Sequence, residues 1–163
     1  MGPSNEYTTL PDSERSLLLR TDFADAPAWQ ALCATLQQPA SLFEADIELV
    51  SDPAFAGFDP AQLTARATRG PYRAFLFVVD QTTLSHPENP LVVLDLVDEP
   101  GRFFRVIPAE LAAVENNLSL ANMDFFEFAD AVDADGIFRG FADCPTTYQA
   151  PDGVGTTYPC THK

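Results

Sequence analysis

Apolar residues in this chain come in short blocks, each bounded by turn-forming or capping residues. The first block, "SLLLRTDF" (16–23), is a compact apolar run ending in polar residues, the pattern of a buried strand. In "ADAPAWQALCATLQQPA", Trp29, Leu32, Cys33 and Leu36 recur at helical spacing. Asp25 is placed to cap that helix, Pro27 stands in its first turn, and Pro39 closes it. "ADIELVSD" reads as a second strand and "DPAFAGFDP" as the turn after it. A short helix, "PAQLTARAT", follows with Asp59 as N-cap and Pro60 at its first position. "YRAFLFVVD" is apolar without interruption from Ala74 to Val79, which suits a central strand covered on both faces. "TTLSHPENP" reads as a loop.

The second half continues in the same manner. "LVVLDLVD" and "GRFFRVIP", joined by "EPG", predict an antiparallel hairpin. "PAELAAVENN" opens with Pro108 and aligns Leu111, Val114 and Leu118 on one helical face. "LSLA" reads as a short extended link to a last helix in "NMDFFEFADAVDADG". There Asp124 and Glu127 have capping-box spacing, and Met123 and Phe128 are placed as a hydrophobic staple. Phe125, Phe128, Ala129 and Val132 share its inner face, and Gly136 is expected to end it in the left-handed conformation.

The order β-α-β-α-β, then a hairpin, then C-terminal helices, predicts a single-domain α/β fold. Its mixed sheet belongs in a two- or three-layer sandwich. If the first three strands are parallel neighbours, the first two helices are expected on one face. Residues 1–15 read as a flexible tail, 16–141 as the domain, and 142–163 as an irregular tail. A chain of 163 residues is long enough to bury about two thirds of its unfolded surface.

Charge adds a constraint that periodicity does not. Nine basic against twenty-four acidic residues give a formal charge of −15. Such a field repels phosphate backbones and anionic membranes, so neither nucleic acid nor membrane is an expected partner. It suits a basic protein, a cation, or solubility alone. The polar stretch "MGPSNEYTTLPDSERS" lacks a signal-peptide pattern, and no apolar run approaches the ~18 residues of a membrane span, so a cytoplasmic location is the expectation. Of three cysteines, Cys33 sits on the apolar face of a helix, whereas Cys144 and Cys160 are a candidate disulfide that a reducing compartment would leave open.

Candidate chemistry is sparse. Asp22, Asp52 and Asp80 each follow a predicted strand. If those strands run parallel side by side, the three carboxylates gather on the rim where open α/β sheets place ligands. They would then serve acid–base or Mg²⁺-assisted chemistry, the clustered charges raising one pKa. The competing reading is that each Asp caps the turn behind it. Asn116, Asn117 and Asn122 are either ligand-binding amides or turn residues bonded to nearby backbone. Arg102 and Arg105 are rare cations that either receive an anionic ligand or pair with neighbouring carboxylates. "DADG" is not a calcium loop, because Ala131 and Ala142 fall where the first and twelfth ligands belong. His86 and His162 have no partners in a recognisable metal pattern, and neither a P-loop, a "GxGxxG" nor a "GxSxG" occurs. No cofactor follows from these residues.

The span from "LLLRTDF" through "FLFVVDQTTL", "VVLDLVDEPGRFFRVIP" and "VENNLSLANMDFFEFADAVDADGIFRGF" resembles the DUF6924 group, a domain of unknown function of small proteins. "ENNLSLANMDF" is the most distinctive phrase. The resemblance implies a compact domain over about 16–141 and brings no reaction, cofactor or catalytic residue. Two functions therefore stand as expectations. The first is a noncatalytic acidic domain, accessory or immunity-like, binding a partner protein or small molecule. The alternative is a small enzyme, possibly biosynthetic, working through Asp22, Asp52 and Asp80.

Overall fold

Five-residue apolar runs form the centre of a sheet in the computed structural model, which describes residues 9–38, 45–67 and 73–141 together with a two-stranded ladder at 148–149 and 155–156. In chain order the main elements are β1 (Ser16–Arg20), α1 (Ala26–Gln37), β2 (Ile47–Val50), α2 (Pro60–Arg66), β3 (Phe75–Val79) and α3 (Gln81–Ser85). They continue with β4 (Leu91–Asp95), β5 (Phe103–Val106), α4 (Leu111–Ser119), α5 (Phe125–Ala129) and β6 (Ile137–Phe138). Short 3₁₀ turns at Pro53–Phe55 and Pro108–Glu110 lead into α2 and α4. The small ladder is β7 (Tyr148–Gln149) with β8 (Gly155–Thr156), inside the stretch expected to be irregular.

The six-stranded sheet has the order β2-β1-β3-β4-β5-β6 and is mixed. β1 runs parallel to both β2 and β3, β4 is antiparallel to β3 and to β5, and β6 returns parallel to β5. The predicted single-domain α/β fold with a mixed sheet is thus present, and so is the β4–β5 hairpin.

The expected placement of α1 and α2 on one face is wrong. Because β1 lies between β2 and β3, the step from β1 to β2 moves one way along the sheet and the step from β2 to β3 moves back. Right-handed crossovers in opposite directions deposit their helices on opposite faces. Accordingly, Trp29 and Leu32 of α1 pack with Leu18, Phe77, Val79, Val93 and Phe104, joined by residues of α4 and α5. On the other face Leu63 of α2 packs with Phe55, Phe58, Leu17, Leu19, Leu76 and Val92. The result is three layers. Leu10, within the stretch expected to be loose, joins this second core at 4% exposure, and the Pro11 carbonyl accepts from Arg73.

Three local expectations also change. α3 occupies the predicted loop, because Asp80 and Thr83 form a reciprocal capping box that starts a helix from "QTTLS". α4 runs on to Ser119, so half of "LSLA" is helical rather than extended. α5 stops at Ala129; Gly136 is left-handed (φ 80°) but ends a turn into β6, its N–H bonded to the Asp133 carbonyl. Phe125, Phe128 and Ala129 are buried as predicted, and Val132 reaches the same core beyond the helix end. Phe104, Phe125, Phe128, Phe138 and Phe141 form a connected set of rings with centroids 5.0–6.4 Å apart.

Candidate functional site

The β4–β5 turn is built around one carboxylate. Asp95 is 2% exposed, and its oxygens accept the N–H groups of Val97 (2.9 Å), Asp98 (3.2 Å) and Glu99 (2.8 Å). Burying a carboxylate without a cation is tolerable only when donors saturate it, and three converging amides do so here. Gly101, with φ 95°, closes the turn by donating to the Asp95 carbonyl. Across from this turn stands the start of α5, where Glu127 accepts the Asp124 N–H at 2.8 Å and completes the expected capping box.

Between turn and helix lies a cleft of about 490 Å³ lined by Asp95, Asp98, Glu99, Arg102, Asp124, Phe125, Phe126 and Asp130. Five acidic residues and one arginine thus line it, and two of the carboxylates, those of Glu99 and Asp130, contact the guanidinium. Arg102 spans the cleft, bonding Glu99 and Asp130 at 2.6 Å each, and both bonds hold it more firmly protonated than usual. Phe126, 51% exposed, adds an apolar wall beside the acidic ones. Joined this way, the walls suit a cationic group attached to an apolar one.

β1, β2 and β3 are parallel neighbours, so Asp22, Asp52 and Asp80 do follow strands that end on one rim. Each, however, is engaged locally. Asp22 accepts the Ala24 N–H at 2.8 Å, and Asp52 accepts that of Ala54 at 2.9 Å. Asp80 caps α3 and meets Arg105 through both oxygens at 2.9 and 2.7 Å. Burial pushes the Asp80 carboxyl up, but the hydrogen bonds from Arg105 and Thr83 outweigh it and hold the group below the usual range. No group of three or more potential ligand side chains among the described residues is arranged to hold a metal ion. Arg105 and Arg102 are therefore both paired with carboxylates.

Asn116 and Asn117 donate to the Ala112 and Ala113 carbonyls one helical turn back, each at 2.8 Å. The Asn117 carbonyl accepts from the Asn122 and Met123 N–H groups, forming the turn between α4 and α5. Cys33 is a half-buried free thiol whose pKa burial raises against the opposing charge of Arg20. Cys144, Cys160 and His162 lie outside the described residues.

Two features escaped the sequence reading. One is the cleft, since Asp95–Arg102 and Asp124–Asp130 are brought together only by the fold. The other is Glu115 in the distinctive phrase. It is 4% exposed and accepts from Ser16 Oγ (2.8 Å), Ser119 Oγ (2.6 Å) and the Asp46 N–H (3.2 Å). It therefore ties α4 to the starts of β1 and β2. No helix among the described residues is long and apolar enough to cross a membrane. The model of a family described as Domain of unknown function (DUF6924) matches residues 15–141, and no curated protein matches the chain.

Proposed function

The chain belongs to the DUF6924 family, and we propose that it is a noncatalytic binding domain whose acidic cleft receives a basic segment of a partner protein. The observation that carries this is the joining of five carboxylates and the half-exposed Phe126 around one cleft whose single guanidinium is already paired. Lysine or arginine entering the cleft meets negative charge on several sides, while an adjacent apolar residue covers Phe126. The overall charge of −15 steers such a partner toward the domain and discourages nucleic acid. An accessory or immunity-like role in the cytoplasm fits this chemistry. The acid–base alternative draws no support from Asp22, Asp52 and Asp80, which local amides and Arg105 engage.

A labelled peptide carrying two arginines around a leucine is the direct probe. Saturable binding that weakens between 50 and 300 mM salt, and weakens further in Asp98→Asn and Phe126→Ser, is the expected outcome. Absence of saturable binding, or binding indifferent to both substitutions, overturns the proposal.

A further inference from the structure

At the opposite end of the sheet a buried guanidinium forms no ion pair with any carboxylate among the described residues. Arg20 ends β1 beside Val79 of β3, whereas the acidic cleft begins at Asp95, beside Phe75 at the other end of β3. Arg20 is 7% exposed. Its guanidinium carbon lies 4.3 Å from the Phe23 ring centroid and 5.0 Å from that of Trp29. Nε donates to the Asp22 carbonyl at 2.8 Å, and Nη1 to Ser51 Oγ at 3.3 Å.

Arg15, Arg102, Arg105 and Arg139 each pair with at least one carboxylate, as expected in so acidic a chain. Among the described residues Arg20 pairs with none. A guanidinium has five N–H donors, and two of these are engaged. No fully buried side-chain polar atom among the described residues lacks a hydrogen-bond partner, so Nη2, which has none, must reach solvent. Aromatic rings cover the guanidinium face, and the backbone and serine contacts fix its plane. What is left unpaired and not fully buried is the Nη2 end of the guanidinium, where β1 ends between its parallel neighbours β2 and β3.

We propose that Arg20 is the anchor of a second site, one that holds the carboxylate of a small-molecule ligand. A planar carboxylate matches the fork of N–H groups on a guanidinium. Asp22 and Asp52 follow the same strand ends and add negative charge along the rim, which disfavours a dianion such as phosphate. A monoanion suits the place best. Here the acidic field of the chain acts as a selector of ligand charge, and the aromatic cover keeps the cation oriented before the ligand arrives.

Trp29 is the only tryptophan of the chain, so its emission reports on this guanidinium without a label. The full chain is titrated with sodium acetate, sodium phosphate or sodium chloride at constant ionic strength, as wild type, Arg20→Lys and Arg20→Met. A saturable change with acetate is expected in the wild type, at least tenfold weaker in Arg20→Lys and lost in Arg20→Met, with phosphate weaker than acetate and chloride without effect. The proposal is overturned by no saturable response to acetate, by an equal response to chloride, by tighter binding of phosphate, or by an unchanged affinity in Arg20→Lys. Should Arg20→Met fail to fold, the wild-type Arg20 Nε–H resonance decides: it moves with acetate if the site exists and stays fixed if it does not.

Discussion

Replacing Asp80 by Asn separates a repulsive carboxylate cluster from a cap held by an ion pair, because the two predict opposite signs. Asparagine is as good an N-cap as aspartate, so α3 and its box with Thr83 are left nearly unchanged. What is lost is the charge facing Arg105, together with one of two acceptors 2.7–2.9 Å from its Nη atoms. The side chains are 31% and 18% exposed, so the pair is well shielded but not dry. Charge-assisted hydrogen bonds contribute ~1.5–3 kcal/mol, and partial exposure places the loss near ~2 kcal/mol. For a domain of this size that lowers Tm by roughly 4–8 °C.

The pH dependence follows from the depressed carboxyl. The stability that Asp80 contributes is complete above the unfolded value of ~3.9 and disappears as pH falls through the lower folded value. Urea denaturation of wild type and Asp80→Asn at pH 7 and again near pH 3 should thus show a gap that is full at the first and smaller at the second. An Asn variant as stable as wild type at pH 7, or more so, would mean that repulsion among the rim carboxylates prevails over the Asp80–Arg105 pair.

Glu115→Ala should destabilise by ~1–3 kcal/mol, since it leaves Ser16, Ser119 and the Asp46 N–H without their acceptor. The effect should be seen as faster hydrogen exchange across Ile47–Val50, with Glu115→Gln intermediate. Phe104→Ala removes the ring in contact with Phe125, Phe128 and Phe138 and should cost about 3–5 kcal/mol by chemical denaturation. Arg139→Gln releases Glu88, Asp133 and Asp135 together. Exchange at Ile137 and Phe138 should then quicken at low salt and match wild type at high salt, where the network is screened.

The strands and the long helices were legible because apolar runs and helical spacing report burial directly. β1, β3 and β4 are buried on both faces, and "SLLLR", "FLFVV" and "LVVLD" carry that in their composition. Strand order was not legible, since periodicity describes each element and not its neighbour. The misplaced helix layer follows from that alone. α3 was hidden because two threonines in five residues argue against a helix, and a capping box overrode that local preference. The reach of α5 was overestimated because Val132 keeps the helical spacing while the chain has already turned. At the level of sites, Asp95 reads as one more residue at the end of a strand. Only its three amide donors and the nearness of α5, about thirty residues away in sequence, show it as the floor of a cleft.

Nuclear magnetic resonance mapping of the arginine–leucine peptide on the ¹⁵N-labelled domain bears most directly on the central claim that the acidic cleft is a binding site. Shifts confined to 95–102 and 124–130, saturating with a single affinity, are the predicted result. Small shifts spread over all acidic surfaces without saturation would contradict it.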